Sequence, residues 1–127
     1  MTVRVLVADD QAPFRRAVRR VLSVTSGFEL VAEASSGEQA VVLVESLHPD
    51  LVVMDIKMAG IGGIEAARSI AVTHPETMTI LLSTYREEDL PGQARTCGAA
   101  AYVHKSDFGP RMLRRLWDER RYSSSAR

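Results

Sequence analysis

Leu51-Val52-Val53-Met54-Asp55 runs four apolar residues into one carboxylate, and the chain then turns through Ile56-Lys57-Met58-Ala59-Gly60. A short unbroken apolar run bounded by turn signals reads as a strand buried on both faces, the kind found in parallel sheets. Ligands of open parallel sheets gather beyond the carboxyl ends of the strands, where Asp55 would stand. A lone carboxylate there could equally cap the next loop, so its neighbours decide. Val3-Arg4-Val5-Leu6-Val7-Ala8 reads as another such strand and ends in Asp9-Asp10. Met78-Thr79-Ile80-Leu81-Leu82 ends in Ser83-Thr84, and Ala99-Ala100-Ala101-Tyr102-Val103-His104 ends in Lys105. Crowded carboxylates resist ionising beside one another. A hard divalent cation with oxygen ligands relieves that, and Lys105 adds a compact positive charge. Acids, hydroxyls and an ammonium that converge in this way suit a site that puts a phosphoryl group on an acid.

Between these strands the apolar residues change to helical spacing. Phe14, Ala17, Val18, Val21 and Leu22 predict a helix over 12–25, with Pro13 tolerated in its first turn. Its other face carries Arg15, Arg16, Arg19 and Arg20 and reads as solvated. Phe28 to Ala34 follows Gly27 as a strand. Ser36 and Gln39 have capping-box spacing and open a helix over 37–47, with Ala40, Val41, Val44 and Leu47 inward. His48 reads as structural, because no second histidine or cysteine stands at metal-ligand spacing.

Gly60, Gly62 and Gly63 lack both common phosphate-loop patterns, so they read as a tight turn into a helix over 63–73. Pro91-Gly92 interrupts the next segment, where an interior proline costs about 3 kcal/mol. A short helix starting near Pro91 is expected there, with 85–90 as loop. The last helix follows Pro110, with Met112, Leu113, Leu116 and Trp117 as its apolar stripe. Strand and helix thus alternate five times. That predicts an α/β fold, a doubly wound five-stranded parallel sheet with helices on both faces. The flavodoxin-like order 2-1-3-4-5 places the site beyond the first and third strands.

The 127 residues fit one domain, expected over 1–120, with the serine-rich 121–127 as a tail or the start of an interdomain linker. A 46% hydrophobic and 25% charged composition is that of a soluble globular domain. Lysine plus arginine and aspartate plus glutamate number 16 each, so net charge points to no polyanionic partner. From Lys105 onward seven basic residues face three acidic ones, which reads as a solvated helix face. The single Cys97 allows no internal disulfide and reads as a small core residue. No apolar run approaches the roughly 20 residues of a membrane helix. A cytoplasmic location is expected, with no membrane partner and no direct nucleic-acid binding by these residues.

The stretches VRVLVADDQAPFRRAVRRVL, ELVAEASSGEQAV, PDLVVMDIKMAGIGGIEAA, ILLSTY and GAAAYVHKSD resemble, in order and spacing, the receiver domain of bacterial two-component response regulators. This is the CheY-like family, and its NarL/FixJ subgroup in particular. The resemblance covers about residues 3–118. It implies that Asp55 is the phosphoacceptor for a sensor histidine kinase. It implies that Mg2+ is held by Asp10 and Asp55, by Asp9 through water and by the backbone carbonyl of Lys57. It implies that Ser83 and Lys105 bond phosphoryl oxygens and that Tyr102 follows Ser83 as a switch. Lys57 and Tyr85 flank the site as candidates for setting the hydrolysis rate of the acyl phosphate. The implied signalling face is the fourth helix, fifth strand and fifth helix, also a homodimer surface.

The sequence departs from the family at three places. Ala59 replaces a common proline, Gly62 a common Asp or Asn, and Lys105-Ser106 a common Lys-Pro. A cis bond at Lys105-Ser106 would cost about 2.5–4 kcal/mol without proline.

The expected function is phosphorylation-controlled signalling, with transcription as the output through a C-terminal DNA-binding domain beyond these residues. The domain would assist its own phosphorylation and dephosphorylation and would not be an enzyme acting on a separate metabolite. The alternatives are a stand-alone receiver, a phosphorylation-independent interaction module, and a small metal-dependent phosphohydrolase. The last lacks a D-x-D pattern, since the sequence has Asp9-Asp10-Gln11.

Overall fold

In a computed structural model, which describes residues 2–85 and 90–125, five strands pair side by side in the order β2-β1-β3-β4-β5, every pair parallel. They are β1 (Val3–Ala8), β2 (Phe28–Ala34), β3 (Leu51–Asp55), β4 (Met78–Ser83) and β5 (Ala101–His104). The α-helices among the described residues are α1 (Ala12–Ser23), α2 (Gly37–Leu47), α3 (Gly62–Thr73) and α4 (Pro110–Ser125). The predicted sheet order is the one observed.

The sheet divides two apolar cores by strand alternation. Leu6, Ala8, Val52, Met54 and Leu81 face α2 and α3, against Ala40, Val44, Ala66, Ala67 and Ile70. Val5, Val7, Leu51, Val53, Ile80 and Leu82 face the opposite way, onto Val18 and Leu22 of α1 and Leu113 of α4. Every residue of β3 is buried, which is why its sequence shows an unbroken apolar run and no alternation. The strand order reverses between β1 and β3, and the crevice that Asp9 and Asp55 share lies beyond their carboxyl ends.

One helix differs from expectation. Where a fourth α-helix is predicted, the described residues hold a single 3-10 turn, Gly92–Arg95, with Pro91 at its cap. Pro91 sets the start as predicted. Gly92 inside the turn adds backbone entropy that a longer helix would have to overcome. Residues 86–89 of the expected loop lie outside the described residues, as do Ala126 and Arg127 of the tail. The implied signalling face is therefore this turn with β5 and the last helix, α4. That helix extends its backbone past residue 120 to Ser125.

Local details account for several boundaries. Helix α1 stops at Ser23, two residues short of expectation, and Thr25 bonds back to the carbonyl of Val21 at 2.6 Å. Ser36 caps α2 by accepting the Gln39 N–H at 3.1 Å. Gln39 answers from Oε1 to the N–H of Ser35 at 2.7 Å, one residue before the cap. His48 ends α2 in the left-handed region with φ 47°, and its carbonyl accepts from Arg4 at 3.0 Å. Pairing of β5 starts at Ala101 and not at Ala99. Cys97 is buried, with its thiol 3.4 Å from the Ala94 carbonyl.

Candidate functional site

Three strand ends build the site. The hydrogen-bond ladder of β1 with β2 and β3 carries Asp9 to the rim, where its N–H bonds the Ala34 carbonyl at 3.0 Å. Strand β3 delivers Asp55 beside it. Oxygens of Asp9, Asp10 and Asp55 all lie within 4.8 Å of one another. Asp9 and Asp55 are buried, at 0% and 7% exposure, while Asp10 faces solvent. Lys105 directly follows β5, and its ammonium lies 3.0 Å from Asp9 Oδ2 and 3.3 Å from Asp55 Oδ2. The same ammonium sits 4.2 Å over the Phe14 ring of α1. That contact adds cation–π attraction to the lysine's ion pairs.

The electrostatics are strained in one direction. Burial and the charge of Asp9 push the Asp55 carboxyl above the usual aspartate range. Lys105 and the backbone N–H of Lys57 pull against that without cancelling it. A carboxylate so placed favours any added cation. Asp9 is further fixed by the Gln11 N–H, which donates to Oδ1 at 2.9 Å, and by Arg15, which donates to its carbonyl at 2.6 Å.

Gly63 explains how the chain leaves β3 so tightly. Its N–H bonds the Ile56 carbonyl at 2.9 Å, and a Cβ there would overlap the Asp55 carbonyl oxygen and stand 2.9 Å from the Ile56 Cα. Gly62 has φ 77°, a conformation that side chains resist. The glycines thus serve the turn into α3, as read, and bring its first turn against the backbone of Asp55.

The other predicted residues fall around this hollow. Ser83, the buried last residue of β4, accepts the Tyr85 N–H on Oγ at 2.8 Å. Its hydroxyl proton remains to be offered to a ligand. Lys57 is exposed in the loop after Asp55. Tyr102 is half-buried on β5 and packs against the core on the α2–α3 side, as Tyr85 does. Burial raises its phenol above the ordinary range. No cis peptide occurs among the described residues, so Lys105-Ser106 is trans.

Four participants escaped the sequence reading. Arg15 and Arg19, read as solvated, both pair with Glu33 of β2, Arg15 at 3.1 Å, and these arginines hold the Glu33 carboxyl below its usual range. Phe14, read only as part of an apolar stripe, supports Lys105. His104 bonds loops on both sides of the site. A helix-period pattern shows which face is apolar, but not which side chain reaches across a strand end.

Three carboxylates at the switch point of a doubly wound parallel sheet, countered by one lysine, make a set of oxygen donors that could hold a hard cation. The family model for the response regulator receiver domain matches residues 5–116. Response regulator GacA of Pseudomonas viridiflava is 38% identical over 103 residues, 81% of this chain and 48% of that protein. Response regulator UvrY of Escherichia coli K12 is 36% identical over 126 residues, 97% of this chain and 58% of that protein. The chain spans about half the length of these curated relatives. The solved signal receiver domain of the putative response regulator NarL from Mycobacterium tuberculosis superposes with a TM-score of 0.84 at 31% identity, covering 92% of this chain and 94% of that one. The chain belongs to the response regulator receiver domain family. Receiver domains of this family bind Mg2+ at an acidic pocket and interact with histidine kinases. Among the described residues no helix is long and apolar enough to cross a membrane.

Proposed function

We propose that Asp55 accepts a phosphoryl group from the phosphohistidine of a sensor histidine kinase, with Mg2+ in the acidic hollow, and that the modification controls an output. One observation supports this above others: a single ammonium lies between Asp9 and Asp55 while three carboxylates crowd within 4.8 Å. The donor set fits the ion, because Mg2+ takes hard oxygen ligands and three carboxylates present oxygens within 4.8 Å of one another. Asp10 and Asp55 would hold it directly, Asp9 through water, and the Lys57 carbonyl would complete the protein's share. When bound, the ion offsets the negative charge that otherwise opposes an anion's approach to Asp55.

The chain's own residues do the rest. An Asp55 oxygen forms the new bond to phosphorus as the bond from phosphorus to the donor's imidazole nitrogen breaks. Lys105 can leave its ion pairs for one phosphoryl oxygen, and the Ser83 hydroxyl can donate to another. The product carries roughly −1.5 to −2 charge where one carboxylate stood. That change biases the Ser83–Tyr85 loop, Tyr102 and the face made by the Gly92–Arg95 turn, β5 and α4. Lys57 and Tyr85 flank the approach of water and would set the lifetime of the acyl phosphate.

Residues 1–120 form the receiver on this reading, and 121–127 lead toward an output. Transcription is the output that the relatives favour: one 35% identical over 103 residues is the transcriptional regulatory protein DegU of Brevibacillus brevis. The same face would pair two copies of the chain. The domain assists its own phosphorylation and dephosphorylation and works in the cytoplasm.

Incubation with Mg2+ and a small phosphodonor should add the mass of one phosphoryl group to the wild type and none to Asp55→Ala. Equal gain in both, or no gain in the wild type, would refute the proposal.

A further inference from the structure

His104 is the last residue of β5, directly before Lys105, and its ring makes contacts that no role assigned above uses. Ring Nδ1 accepts the Ser106 backbone N–H at 3.2 Å and lies 2.7 Å from the Ser106 hydroxyl. An N–H donating to Nδ1 requires that atom to carry no proton. The neutral ring must then be protonated on Nε2, which lies 3.2 Å from the Thr84 carbonyl. The imidazole therefore ties two loops together. One follows Ser83 by a residue and the other follows Lys105 by a residue.

Ser83 and Lys105 are the two groups that would bond phosphoryl oxygens. Their strands pair, with Ser83 opposite His104 in the β4–β5 register. Beyond that last pair the ladder ends, and a side chain continues the connection in its place. His104 also lines a groove of about 420 Å3 with Ser83, Tyr85 and Tyr102. The groove holds Asp107 and Arg115 as its charged members among the described residues. Among the described residues neither bonds the ring, whose nitrogens are taken by Thr84 and Ser106.

We propose that His104 is a positioning residue for phosphoryl acceptance, clamping the Thr84 carbonyl to the Ser106 backbone so that Ser83 and Lys105 stay aligned with Asp55. The assignment rests on the reading of Asp55 as the acceptor. Phosphoryl transfer depends mainly on placement and charge, so loosening both anion-binding groups lowers the rate. Asp9 and Asp10 follow β1 and Asp55 ends β3, and none of the three bonds the His104 ring, whose nitrogens meet Thr84 and Ser106.

Three readouts test it on the full chain. Nitrogen-15 NMR of the wild type should show His104 as the Nε2–H tautomer with an unprotonated Nδ1. The opposite tautomer overturns the clamp before any variant is made. Phosphorylation by a small phosphodonor at saturating Mg2+ should slow about threefold to tenfold in His104→Leu, the loss of one to two hydrogen bonds. Mg2+ affinity, read from NMR shifts, should stay within twofold. His104→Gln, whose amide can still donate to the Thr84 carbonyl, should recover most of the rate. A His104→Leu rate equal to wild type, or equal losses in the Leu and Gln variants, overturns the assignment while leaving Asp55 as acceptor. A wild type that takes no phosphoryl group overturns both, and is recognised by failing before any His104 variant is compared.

Discussion

Replacing Lys105 with methionine keeps the apolar stem and removes the one ammonium that offsets two buried acids. In the native state that ammonium lies 3.0 Å from Asp9 Oδ2 and 3.3 Å from Asp55 Oδ2, with the lysine side chain only 12% exposed. At an effective dielectric of about 20, each pair attracts by roughly 5 kcal/mol. Most of that gain offsets the cost of taking the lysine out of water, so the sum is no measure of stability. The acids also have an escape, because one of them can take a proton. From an ordinary aspartate near 3.9, that escape costs about 1.36 × (7.0 − 3.9), roughly 4 kcal/mol at pH 7. At pH 5 the same product is roughly 1.5 kcal/mol. Burial and the charge of Asp9 have already raised Asp55, so the real ceiling lies lower.

Lys105→Met should therefore lose about 2–3 kcal/mol in metal-free buffer at pH 7. The sign of the pH effect follows. In the variant the folded-state carboxyl titrates higher still above its unfolded value, so stability is lost as pH rises and the penalty shrinks as pH falls. Urea denaturation across pH 5 to 7.5 measures this, with slope and midpoint fitted separately. Asp9→Asn in the same background should restore at least half the loss. A variant within about 0.5 kcal/mol of wild type at pH 7, or a penalty that grows toward low pH, would refute the electrostatic reasoning.

Two other perturbations test neighbouring parts of the account. Gly63→Ala places a methyl against the backbone of Asp55 and Ile56, where nothing can rotate away. It should cost about 1–3 kcal/mol in urea titrations and also slow phosphorylation, and a neutral effect on both would contradict the packing argument. Asp55→Asn removes a carboxyl that burial and Asp9 hold above its ordinary range. A group raised in this way takes stability away as pH rises through its folded value, so the variant should melt higher than wild type at pH 7. The gap should close as pH falls below the aspartate range, and a variant that melts lower at pH 7 would reverse the sign.

The parts of this molecule that the sequence makes legible are those whose physics is local or one-dimensional. Buried on both faces, β3 has no polar face to alternate with, so Leu51–Met54 is a continuous apolar run. Parallel strands must point their carboxyl ends the same way. Asp9, Asp55, Ser83 and Lys105 could therefore be placed on one rim before any distance was known. The site's supports were hidden because they join elements distant in sequence. Glu33 gathers Arg15 and Arg19 across the β2–α1 boundary, and periodicity alone leaves those arginines in solvent. Phe14 and Lys105 are 91 positions apart and meet only because α1 packs near the end of β5. The expected fourth helix shrank to Gly92–Arg95 among the described residues, where proline sets the start but no capping side chain or apolar stripe extends it.

The central claim is that Asp9, Asp10 and Asp55 hold Mg2+ while Asp55, Ser83 and Lys105 hold a phosphoryl group. A crystal structure of the protein with Mg2+ and beryllofluoride, a mimic of the phosphoryl group, tests it most directly. The account predicts beryllium bonded to an Asp55 oxygen, one fluorine on the Lys105 ammonium, another on the Ser83 hydroxyl, and the ion among the three carboxylates. Beryllofluoride bound to another residue, or a cation site that leaves Asp10 and Asp55 without metal, would contradict it.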